Sequence, residues 1–108
     1  MTNLTEREKA FEAKFRHDQE IAFKVTARRN KLLGLWAAGL MGLSQDDAAA
    51  YAKTVVQSDF RKPGDKDVLE HVLKDLTARG IDMSEHRVRK EMDHLLGVAK
   101  AEVMKEVS

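Results

Sequence analysis

Between Thr5 and Met41 the chain holds no proline, and its first glycine is Gly34, so almost nothing interrupts a helix across the first third of the sequence. A continuous helix over residues 5–41 rises about 55 Å at 1.5 Å per residue. The helical patterns that follow are shorter, about 14 to 22 residues or roughly 20 to 33 Å each. A bundle of that height covers only one half of the first helix. The other half is expected to project as an arm.

The remainder of the chain sets narrow limits. With 108 residues there is material for one small core. Cysteine is absent, which removes disulfides, thiol catalysis and cysteine-based metal sites, and fits a reducing cytoplasm. The longest apolar run, residues 32–43, is well short of the roughly 20 residues that span a bilayer, and residues 1–12 are charged. A soluble chain without direct membrane insertion is expected.

Charged residues make up 34% of the chain and nearly cancel at +1, but their distribution is uneven. Residues 1–20 interleave four cations with five anions, a net of −1. Residues 21–31 carry Lys24, Arg28, Arg29 and Lys31 with no acid, a net of +4. A mixed-charge arm is therefore joined to a basic collar.

No segment alternates apolar and polar residues with β-branched enrichment, so the class is all-α. Gly42 closes the first helix, and Ser44, with Asp47 three residues on, caps a second that runs to about Ser58 with Ala48, Ala52, Val55 and Val56 on one face. Pro63-Gly64 suits a type II turn. A third helix is expected to open near Asp67, with Glu70 as its capping-box partner, and to bury Leu69, Val72, Leu73 and Leu76 before Gly80. If Gly80 takes the left-handed conformation, Leu76 and Ile81 become the contacting pair of a Schellman motif. Ser84 caps the fourth helix, Met83 and Val88 form its staple, and Val88, Met92, Leu95, Ala99 and Val103 its buried stripe. In the first helix, Val25, Leu32, Leu33, Trp36 and Leu40 are expected to face the core. Gly34 and Gly39, each costing about 1 kcal/mol in a helix interior, are expected to mark close approach of a neighbour. The architecture read from these signals is a small four-helix bundle, residues 19–108, with a projecting, partly disordered N-terminal arm, residues 1–18.

The arm opens on a capping box, Thr5-Glu6-Arg7-Glu8, and sets Phe11 and Phe15 one turn apart among charges. Burying each ring contributes about 1.5 to 3 kcal/mol, whereas fixing the backbone of an unsupported residue costs about 1 to 2 kcal/mol. Two rings do not hold the arm, so it is expected to fray when free and to order against a partner. Folding back on its own bundle is the competing expectation.

The run Arg7-Glu8, Ala10-Phe11-Glu12-Ala13-Lys14-Phe15, His17-Asp18 and Ala27-Arg28-Arg29-Asn30-Lys31-Leu32-Leu33-Gly34-Leu35-Trp36-Ala37-Ala38 resembles the zeta-subunit inhibitors of alphaproteobacterial ATP synthases. Asp59-Phe60, Pro63-Gly64-Asp65 and Ser84-Glu85 extend the likeness almost to the C-terminus. The resemblance implies an inhibitor of ATP hydrolysis that makes and breaks no bond itself. Its N-terminal segment would enter a catalytic interface of the synthase's soluble head, among the alpha, beta and gamma subunits. Carried onto this sequence, Phe11 and Phe15 are the buried anchors, and Arg7, Glu8, Glu12, Lys14 and Arg16 pair with charges lining the cleft. His17 and Asp18 sit at the joint of arm and body. Lys24, Arg28, Arg29, Asn30 and Lys31 form a collar that docks at the cleft mouth. Such a protein is a cytoplasmic monomer when free and peripheral at the inner membrane through the synthase.

Competing functions find less support. Glu91 and His94 have the Glu-x-x-His spacing of di-iron bundles, but the motif occurs once and no second pair completes it. No cofactor is expected, and no nucleophile with base and orienting acid suggests an enzyme. Arg28, Arg29 and Lys31 offer weak nucleotide binding through phosphate. A small helical adaptor or nucleic-acid module using residues 24–31 is the alternative reading, opposed by the near-neutral charge.

Overall fold

The computed structural model describes residues 2–107, and side-chain burial from Thr5 onward. Four helices follow one another: α1 Thr2–Leu40, α2 Gln45–Arg61, α3 Asp65–Ala78 and α4 Glu85–Val107, with no strand among the described residues. Helix α1 has 39 residues and touches all three others, and the molecule measures 66 × 24 × 22 Å. The long axis is therefore the length of α1, about 58 Å, and not the height of the bundle.

Two apolar clusters hold the body. The larger gathers Leu33 and Ala37 of α1, Val55 of α2, Val68, Leu69, Val72 and Leu76 of α3, and Val88 and Met92 of α4. The smaller joins Val25 of α1 to Ala99 and Val103 of α4, where only these two helices continue. N-terminal to Ile21, residues 5–20 are exposed throughout. The arm does not fold back. It is continuous helix where fraying is expected, because the buried half supplies the nucleus and the arm needs only propagation.

The buried face of α1 is rotated from the expected one. Val25, Arg29, Leu33 and Ala37 form one buried row and Asn30, Gly34 and Ala38 the next, while Trp36 is half-buried and Leu40 is exposed. Small residues occupy the centre because α2 comes close there. A Cβ added at Gly34 would lie 2.6 Å from the Ala52 Cα and 3.1 Å from its Cβ. At Gly39 it would meet nothing within 4 Å, so only the first of the two glycines marks a close approach. Larger side chains such as Trp36 pack at the flanks of the contact.

Turns follow their local chemistry. Gly42 and Gly80 have φ of +72° and +76°, and Leu43 and Ile81 donate their amides to the carbonyls of Ala38 and Leu76, each at 3.1 Å. Both helix ends are thus Schellman motifs. Ser44 Oγ accepts from the Asp47 amide and Ser84 Oγ from the Arg87 amide, each at 3.2 Å. Met83 packs on the cluster that holds Val88, completing the staple.

The second turn departs from expectation. Helix α2 continues past Ser58 to Arg61, where the Lys62 amide closes on the Ser58 carbonyl at 3.1 Å and Pro63 stops it. Gly64, at φ +139° and ψ +140°, lies far from the ψ near 0° that a type II turn needs at this position. Its carbonyl instead starts α3 at Asp65, two residues before Asp67, with no side-chain cap. Asp65 and Asp67 take the favourable first-turn places for acids.

Gly34→Ala and Gly97→Ala should act in opposite directions. Both relieve a glycine penalty of about 1 kcal/mol, but at position 34 the added methyl meets backbone that cannot rotate away, and overpacking costs about 1 to 3 kcal/mol. At Gly97 it meets nothing within 4 Å. Thermal unfolding should show a lower Tm for the first variant and an unchanged or higher one for the second.

Candidate functional site

Residues 5–20 form a bare helix. Phe11 and Phe15, 72% and 56% exposed, stand on one side, one turn apart. Arg7, Glu8, Glu12, Lys14, Arg16, His17 and Asp18 are exposed around them, and none takes part in an ion pair among the described residues. Such rings are the kind of feature that marks a contact surface, since nothing among the described residues buries them. The expected arm residues are therefore brought together on one helix, with their hydrogen-bonding capacity free.

The expected collar divides. Lys24 and Lys31 are exposed and unpaired among the described residues, as a docking role requires. Arg29 and Asn30 are buried, 4% and 1% exposed, and do not present their side chains to a partner. Arg29 Nη2 donates to Asp65 Oδ1 at 2.8 Å, and its Nε and Nη2 both donate to Asn30 Oδ1 at 3.1 and 3.0 Å. Asn30 Nδ2 donates to Asp59 Oδ2 at 3.0 Å, and Asp59 Oδ1 accepts the Gly64 amide at 3.2 Å. This chain of bonds ties α1 to the α2–α3 turn directly below the arm. A buried guanidinium is tolerated because carboxylate and amide oxygens surround it.

Arg28 is also engaged. Its guanidinium donates to Glu102 and Glu106 of α4, and those two hydrogen bonds, Glu106 first, hold it above its ordinary pKa. Of the three cations expected to receive phosphate, only Lys31 stays unpaired. The same pairing removes two charges from the nucleic-acid reading. Among the described residues no three His, Asp or Glu gather as metal ligands, and no helix is long and apolar enough to cross a membrane.

Two features were not legible in the sequence, the burial of two collar residues and an aromatic pair. Arg29 and Asn30 sit on the buried period of α1, but their polarity reads as surface. Phe23 and Phe60, each 56% exposed, stack with centroids 5.4 Å apart at the root of the arm. Two single aromatics, 37 positions apart in the sequence, give no local pattern to join them.

The network has a pH signature. Arg29 holds the Asp65 carboxyl below its ordinary value, mainly through the hydrogen bond, and burial opposes this in part. A depressed acid stabilises the fold above its unfolded pKa, about 3.9, and that contribution is lost as pH falls through the lower folded value. Urea unfolding should therefore show Asp65→Asn weakening the protein at pH 7, with the gap to the parent closing in acid. Asn30→Ala should cost about 1 to 3 kcal/mol, because it leaves the guanidinium and the Asp59 carboxylate short of a partner.

No curated protein matches the chain. Two solved chains do, and one of them, determined in solution by NMR, is 48% identical over 78% of this chain and 95% of its own length, with a TM-score of 0.68. The family model for ATPase inhibitor subunit zeta matches residues 1–102, which takes in the arm, the collar and nearly all of the bundle. The chain belongs to the ATPase inhibitor subunit zeta family.

Proposed function

We propose that this protein inhibits ATP hydrolysis by inserting residues 1–18 into a catalytic interface of the ATP synthase head, among the alpha, beta and gamma subunits. The observation that carries the reading is the bare helix of residues 5–20, with Phe11 and Phe15 exposed on it and a folded body behind it. Family membership supports the inhibitory role. The body gives the arm a fixed root and a direction.

The mechanism is blockade without chemistry. Rotary hydrolysis requires each catalytic interface to open and close, and a helix that fits only one of those states shifts the population toward it and stalls the cycle. Phe11 and Phe15 supply apolar burial in the cleft. Arg7, Glu8, Glu12, Lys14 and Arg16 pair with its lining, and Lys24 and Lys31 dock at its mouth. His17 and Asp18 mark the joint between inserted and external parts. In this reading the protein is cytoplasmic, a monomer when free, and held at the inner membrane only through the synthase.

Free and bound arms differ in order. The exposed half of α1 has only propagation to sustain it, which is marginal in water, so it exchanges between helix and coil until the cleft supplies contacts. Amide exchange should be fast over residues 5–20 of the free protein and slow from Leu33 to Ala38. Uniform protection along α1 would contradict this.

The decisive assay titrates ATP hydrolysis by the purified catalytic head. Replacing both rings, Phe11→Asp with Phe15→Asp, removes at least about 3 kcal/mol of burial and should weaken inhibition about a hundredfold or more. Unfolding of the bundle should be unchanged. Equal inhibition by parent and variant would move the effect to the body.

A further inference from the structure

The aromatic ridge of the arm continues past the point where the body begins. Phe11, Phe15, Gln19, Phe23 and Ala27 follow at intervals of four, the row of side chains that forms a ridge along a helix. At Phe23 this ridge meets Phe60 of α2, and the stacked pair borders a hollow of about 200 Å³ with Val56 and Pro63. Val56 carries the apolar floor onward to Leu35 and Ala49. From Phe23 to Leu35 helix α1 rises about 18 Å, close to three helical turns. The groove thus has the length of a short docked helix.

Its border is basic. Lys24, Lys31 and Lys53 line it, all exposed and none in an ion pair among the described residues. The acids along the body part of the groove are already engaged: Glu106 receives Arg28, and Asp59 receives Asn30 and the Gly64 amide. Glu20, toward the arm, is the exception. A symmetric pairing of two copies through this face would set the lysines of one against those of the other, which disfavours self-association.

We propose that this groove is a second contact with the catalytic head, and that it receives an amphipathic helix with acidic flanks on the outer rim of the interface that takes the arm. The proposal rests on the arm reading above. The partner surface that follows the arm out of the cleft meets Phe23 and then Phe60. Because the arm runs on from the helix that forms one wall of the groove, the second contact forms at high effective concentration once the first is made. The body is then a grip as well as a holder.

The test uses the full chain, its variants Phe60→Asp and Lys31→Glu with Lys53→Glu, and the double arm variant, in binding and hydrolysis assays with the purified head at low and high salt. Phe60→Asp should weaken binding about tenfold, as loss of an interface aromatic does, with helix content unchanged. The lysine reversal should weaken binding at low salt and flatten its salt dependence. These lysines are exposed and take part in no hydrogen bond or ion pair among the described residues, so they decide the matter if Phe60→Asp disturbs the bundle. Parent-like binding by the lysine variant at both salt levels, while the arm variant fails, would overturn the groove and leave the arm reading intact. Failure of the parent chain to inhibit would overturn both. Sedimentation showing parent dimers that Phe60→Asp dissolves would assign the groove to a second copy and overturn the proposal.

Discussion

The contact of Gly34 with Ala52 fixes the direction of everything N-terminal to it. Because position 34 carries no Cβ, α1 and α2 approach until backbone meets backbone, and Leu33 and Ala37 on either side are sealed into the main core. That buried stretch is the helix nucleus. Once it is formed, each residue toward the N-terminus adds a hydrogen bond for one fixed residue, so a segment without tertiary contacts still has helix as an accessible state. The arm is aimed by packing that lies several turns away from it.

Charge is divided along the same helix according to what each segment has to do. At the root, Arg28 and Arg29 turn inward to Glu102, Glu106 and Asp65, locking α1 against α4 and the α2–α3 turn. Lys24 and Lys31, one turn to either side, remain outward and unpaired among the described residues. Arginine suits the inward role because its planar fork serves several oxygens at once, whereas a lysine on a flexible stem suits a solvated rim. The basic stretch that looks uniform in the sequence is thus two arrangements, paired arginines and exposed lysines, interleaved at helical spacing.

Much of the fold was legible because the signals were local. Gly42, Gly80, Ser44 and Ser84 each specify a helix end by conformation or by one hydrogen bond, and all four do so in the structure. The stripe of α4 from Val88 to Val103 follows period alone. What escaped depended on partners distant in sequence. Arg29 and Asn30 are buried only because Asp59 of α2 and Asp65 at the start of α3 arrive to pair with them. Gly64 leaves the type II geometry because the Asp59 carboxylate takes its amide and α3 begins at once. Gly34 and Gly39 look alike in sequence, and only the path of α2 separates them. Phe23 and Phe60 likewise become a site element only when the fold stacks them.

The central claim, that the arm and not the body blocks the catalytic cycle, is tested most directly by placing a photo-reactive phenylalanine analogue at position 11 and irradiating the protein while it inhibits the purified catalytic head. The account predicts cross-links to residues lining one alpha–beta interface, with inhibition trapped irreversibly. Sustained inhibition with no cross-link from position 11, while an analogue at position 60 links efficiently, would contradict it and make the bundle the inhibitor.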